Sequence, residues 1–174
     1  PILQYDASGN FLKIFGSGMF AFPHGIHVDL DGNVWVTDPL PADWRGAGGN
    51  VGQQVTKFNP NGEVLMELGT KTVTGRGTNT FSSPSDVVVG RNGDIFVADG
   101  HATGTNERIV KFDRNGKYIE EWGVPGFGPC GSNQFSSLHA LELDSQGRLF
   151  VGDRDNNRIQ IFDQEGNFIA IWTQ

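Results

Sequence analysis

One hairpin unit recurs along the chain and constrains its fold more than any other feature. "VDLDGNVWVTD" (28–38), "VGRNGDIFVAD" (89–99) and "LDSQGRLFVGD" (143–153) are copies of one module. Their glycines Gly32, Gly93 and Gly147 are spaced 61 and then 54 residues apart. A second module falls between them: "QYDASGNFLKIFG" (4–16), "KFNPNGEVLMELG" (57–69), "KFDRNGKYIEEWG" (111–123) and "IFDQEGNFIAIWT" (161–173). Each module is two short alternating strands around a glycine turn. Glycine recurs there because type I′ and related hairpin turns need a positive φ, which it adopts without a Cβ penalty.

Seven hairpins predict 14 strands and an all-β fold. Two hairpins make a four-stranded unit of about 40–60 residues, the size of a β-propeller blade. The first hairpin lacks its inner partner. The expected organisation is therefore a single propeller segment: an outer half-blade over 1–18 and blades over 19–69, 81–123 and 135–173. Rings close with about 4–8 blades, so three and a half need either a further chain segment or an oligomer. The chain begins at Pro1, and the expectation is a portion of something longer.

Composition narrows the partners. The net charge of −7 and the lack of a basic stripe exclude nucleic-acid backbones. No apolar run approaches the roughly 20 residues that span a bilayer, and no signal peptide is visible. The compartment stays open, with a secreted or other extracytoplasmic setting as the expectation. A single Cys130 excludes an intramolecular disulfide. No G-x-S-x-G, H-E-x-x-H or C-x-x-C is present, so serine or cysteine nucleophiles have no support.

His24, in "FPHGIHV", and His139, in "SSLHALEL", both stand where the innermost strand of a blade begins. Equivalent positions in a propeller converge on the central channel, and convergence is what a metal requires. The alternative is a rim histidine bonded to water or backbone. His27 alternates to the other side and is expected to pack between blades. "DLDGN" (29–33) lacks the carboxylates of a calcium loop and reads as an Asx-capped turn. Asp38, Asp99 and Asp153, with Arg108 and Arg158, recur nearly once per blade and read as architecture. Trp35, Trp122 and Trp172 read as inter-blade packing. Trp44, in the Gly-rich loop 39–52, is placed to cap a ligand.

The pattern F-x-x-P, D-x-x-G-N, [IV]-x-V-x-D and N-x-R-I-x-x-F resembles the NHL repeat, nearly whole in "VGDRDNNRIQIF" (151–162). The three consecutive blades "FPHGIHVDLDGNVWVTD", "FSSPSDVVVGRNGDIFVADG" and "NQFSSLHALELDSQGRLFVGDRDNNRIQIF" more specifically resemble peptidyl-α-hydroxyglycine α-amidating lyase. That family is a six-bladed propeller and cleaves a C-terminal α-hydroxyglycine into a peptide amide and glyoxylate. The resemblance implies zinc ligation by His24 and His139, with a third histidine from a later blade. It also implies a structural calcium partly held by the backbone carbonyl of Ile26. The family's catalytic tyrosine position holds His101, in "ADGHATGTNER", a departure that makes His101 a candidate general base or extra ligand. The family's catalytic arginine precedes the matching blades. A peptide or small molecule in the channel is the implied partner. The alternative is a non-catalytic propeller that binds a protein or another ligand.

Overall fold

The computed structural model describes residues 1–40, 50–102, 104–128 and 131–173. Trp44 and Cys130 lie outside the described residues. The chain is built from antiparallel sheets in sequence order. A two-stranded sheet of β1 (Ile2–Tyr5) and β2 (Phe11–Phe15) comes first. The first four-stranded sheet follows: β3 (Ile26–Val28), β4 (Val34–Asp38), β5 (Gln54–Phe58) and β6 (Val64–Leu68). The second holds β7 (Pro84–Val89), β8 (Ile95–Asp99), β9 (Arg108–Phe112) and β10 (Tyr118–Trp122). A short parallel pair, β11 (Val124–Pro125) and β12 (Gln134–Phe135), crosses to the third. That last sheet is β13 (Leu138–Leu143), β14 (Leu149–Asp153), β15 (Arg158–Phe162) and β16 (Phe168–Thr173). Strands pair with their chain neighbours in every four-stranded sheet, and β7 touches both β3 and β13. No helix among the described residues is long and apolar enough to cross a membrane.

The turns correct one expectation. Each repeated glycine donates its N–H three residues back, as Gly32 does to the Asp29 carbonyl (2.9 Å) and Gly147 to that of Asp144 (3.0 Å). In the 29–33 turn only Gly32 has a positive φ, +80°, whereas type I′ needs two such residues. The turn is a type I turn closed by a left-handed glycine. Asp29 Oδ1 accepts the Asp31 and Asn33 N–H groups and makes it an Asx-capped turn.

Two apolar layers hold the sheets together. Trp35, Val55, Leu68, Phe81, Val97 and Val110 fill the space between the first and second four-stranded sheets. Phe96, Ile109, Phe135, Leu138, Val151 and Phe162 fill the next. Phe81 and Phe135 open the segments that lead into β7 and β13. Their rings lie against Gly69 and Gly123, where a Cβ would meet them at 2.7 and 2.6 Å. Truncating such a buried ring to alanine costs about 3–5 kcal/mol.

The recurring aspartates fasten the same segments. Asp38 accepts the Ala21 and Phe22 N–H groups, Asp99 that of Ser82, and Asp153 that of Ser136. Arg108 and Arg158 pair with Asp99 and Asp153 at 2.9 and 2.7 Å. Trp35 is buried, and Trp122 packs against the second layer. Trp172, in the last strand, packs edge-on against Phe150 and is 56% exposed beside a cleft of about 480 Å3.

Candidate metal centre

Three histidines from three different sheets meet. His24 precedes β3, His101 follows β8 by two residues, and His139 is the second residue of β13. The first strand of each sheet begins beside the common axis, so His24 and His139 occupy repeat-equivalent positions. The equivalent residue of the middle sheet is Ser85. Its place in the cluster is taken by His101, which follows the partner strand β8 at the same end of the sheet, its N–H donating to the Ser83 carbonyl at 3.0 Å. Ring centroids are 4.5 Å apart for His24–His101, 5.0 Å for His24–His139 and 5.3 Å for His101–His139. One ring nitrogen from each lies within 4.8 Å of the others. It is the one group of three ligating side chains of this kind among the described residues.

The surroundings fit a cation held by neutral imidazoles. His24 Nδ1 is 2.8 Å from the Ser85 carbonyl oxygen. A carbonyl only accepts, so Nδ1 carries the proton and Nε2 keeps its lone pair for a ligand. Burial, then His24 and His139, then Arg154, pull the His101 pKa down to about 4. Burial, His24 and Arg154 lower His139 likewise. His101 and His139 are thus neutral at neutral pH, the form that binds metal.

The remaining sequence candidates fall elsewhere. His27 accepts the Val89 N–H at 3.3 Å between two sheets and stays outside the cluster. Ile26 pairs with Val36 in β3 and is 58% exposed, outside the histidine cluster. His101, expected as a candidate base or extra ligand, is the third histidine of the cluster among the described residues.

Two rim residues escaped the sequence reading. Arg154 and Asp155 occupy the repeat positions of Gly100 and His101. Arg154 Nη2 donates to the His101 carbonyl at 3.4 Å. Asp155 takes the Ser137 hydroxyl at 2.6 Å, and its charge opposes the depression of both His101 and His139. Aligning "TDPL", "ADGH" and "GDRD" would have placed all three pairs on one rim.

Comparison with known proteins agrees with this architecture. The NHL repeat model matches residues 81–112 and 135–162. Peptidyl-glycine alpha-amidating monooxygenase A of Xenopus laevis is 38% identical over 179 residues, covering 97% of this chain and 17% of its own length. A probable peptidyl-alpha-hydroxyglycine alpha-amidating lyase of Caenorhabditis elegans is 37% identical over 154 residues, covering 85% and 39%. NHL repeat-containing protein 3 of Homo sapiens is 32% identical over 177 residues, covering 98% and 48%. The chain thus spans less than half the length of each of these relatives. Among solved structures, a streptogramin B lyase superposes with a TM-score of 0.56 at 18% identity, over 87% of this chain and 40% of that one. That likeness shows the β-propeller type of fold.

Proposed function

We propose that this chain, which carries NHL repeats and is related to the amidating lyases, is the histidine-bearing segment of a metal-dependent propeller lyase. Its substrate would be a peptide ending in α-hydroxyglycine, and its products a peptide amide and glyoxylate. The observation that carries this reading is the meeting of His24, His101 and His139. In the same reading the half-blade and three blades belong to a six-bladed ring closed by further chain or by another subunit. A structural calcium would be held through the Ile26 carbonyl, with its carboxylate from elsewhere in the ring.

His24, His101 and His139 would hold the metal, with zinc the ion that suits an all-imidazole set. Such an ion supplies Lewis acidity that polarises an oxygen of the α-hydroxyglycine end. Three protein ligands leave a position open to substrate. Arg154, beside His101, presents a cation to the substrate's terminal carboxylate, and a guanidinium can hold it with two parallel hydrogen bonds. The reaction moves the hydroxyl proton to the departing amide nitrogen as the C–N bond breaks and the C=O bond forms. His101, neutral at neutral pH, is also placed to take that proton. Ligand and base are alternative uses of one imidazole, and the nitrogen distances favour ligand.

The test is metal content by elemental analysis on the full chain after loading with zinc, beside the His24→Ala/His139→Ala double variant. About one equivalent, lost in the double variant, followed by glyoxylate release from an α-hydroxyglycine peptide, is the expected result. No bound metal overturns the lyase reading and favours a propeller that binds without catalysis. Metal without glyoxylate release limits the proposal to a metal site.

A further inference from the structure

Glu107 has a carboxylate where the previous sheet uses an amide. Gln53, Glu107 and Asn157 each stand one residue before the third strand of a sheet, and all three are left-handed, with φ of 61°, 50° and 52°. The backbone shape is therefore architectural. The side chain at this position bridges two segments. Gln53 donates Nε2 to the Pro39 carbonyl of its own sheet at 3.1 Å and accepts the Ser83 N–H of the next at 2.8 Å. A neutral amide does this job without burying a charge.

Glu107 is 1% exposed and uses both oxygens on the next sheet. Oε1 accepts the Ser137 N–H at 3.0 Å and Oε2 the Leu138 N–H at 3.2 Å. His139 is the next residue. On its other side Glu107 packs against Gly100, where a Cβ would lie 2.8 Å from both its Cα and its Oε2. His101 is the next residue there. One buried carboxylate thus touches the immediate neighbours of two cluster histidines from two sheets. A buried carboxylate is costly, and the preceding sheet shows that the bridge itself does not require it.

We propose that Glu107 is the positioning residue that fixes His101 and His139 relative to each other and so sets the affinity of the three-histidine site. The proposal rests on the metal reading above. The carboxylate is a rigid two-pronged acceptor for the start of β13. A glutamine keeps one prong and turns a donor towards the Leu138 N–H, which repels it. Loss of such an outer-shell contact to a ligand's support typically lowers metal affinity about 10–100-fold.

The experiment is zinc affinity by competition with a chromophoric chelator, together with the visible spectrum of the cobalt(II)-loaded protein. The full chain, Glu107→Gln and Glu107→Asp are compared. Glu107→Asp keeps the carboxylate but shortens its reach to the Ser137 and Leu138 N–H groups, and answers the question should Glu107→Gln fail to fold. The expected result is an affinity about 10–100-fold weaker in each folded variant, with an altered cobalt band and a far-ultraviolet spectrum unchanged. Wild-type affinity and an unchanged cobalt band in a folded variant overturn the role of Glu107. A wild-type chain that binds neither zinc nor cobalt overturns the metal reading itself.

Discussion

The ring nitrogen Nδ1 of His24 lies 2.8 Å from the carbonyl oxygen of Ser85, one sheet away, and the Thr37 hydroxyl donates to the same oxygen at 2.9 Å. The contact orients the imidazole across a sheet boundary. It also means that a residue without a ligating side chain, Ser85, contributes to the cluster through its backbone. Thr37 is buried and its hydroxyl oxygen in turn accepts the Gly25 N–H at 2.8 Å.

Thr37→Val is therefore expected to leave the Gly25 N–H without its acceptor and to loosen His24. Leaving such a group unpaired costs about 1–3 kcal/mol. Urea unfolding monitored by tryptophan fluorescence should show a lower midpoint with unchanged slope. A midpoint equal to wild type would mean that water replaces the hydroxyl at no cost.

Gly123→Ala should be far more damaging than Gly9→Ala. Both glycines have positive φ, +101° and +82°, so each alanine costs about 1–2 kcal/mol in backbone strain. At Gly9 nothing lies within 4 Å of the new Cβ, whereas at Gly123 the Phe135 ring lies at 2.6 Å. Overpacking adds about 1–3 kcal/mol. Thermal unfolding of the two variants should differ in that order, and similar midpoints would contradict the tight seating of Phe135.

These glycines also show what was legible in the sequence. The turn glycines and the period-2 alternation fixed seven hairpins and their grouping into four-stranded sheets, because both are local properties of the backbone. His24 and His139 were readable because repeats place equivalent residues equivalently. His101 was harder. It enters from a loop rather than a strand start, and the insert 101–107 blurs its register against "TDPL" and "GDRD". The parallel pair β11–β12 and the two hydrogen bonds that Glu107 accepts from Ser137 and Leu138 left no local pattern.

Glu107 carries a pH signature. Burial, with a smaller push from Asp153 and Asp155, raises its carboxyl to about 7. The folded state thus binds the proton more tightly than the unfolded chain, whose carboxyl titrates near 4.5. The stability this proton confers is complete below about pH 4.5 and is lost as pH rises through about 7. Glu107→Gln removes the group. Relative to wild type its stability should rise between pH 4.5 and pH 7 and level off above, by up to about 3 kcal/mol. Urea midpoints at pH 4.5, 6 and 8 read this directly, and a difference independent of pH would place the carboxyl in its ordinary range.

His101→Gln separates the two uses of that imidazole. As a ligand, His101 is one of three, and the pair His24 and His139 alone makes a weaker site. Zinc affinity should then fall by at least about 10-fold, with activity restored in part by raising the zinc concentration. As a base that does not touch the metal, its loss would leave zinc affinity unchanged and lower turnover by about 100- to 10,000-fold at every zinc concentration. The 4.5 and 5.3 Å ring separations from His24 and His139 favour the first outcome. Chelator competition and a zinc titration of glyoxylate release on the same preparation decide between them.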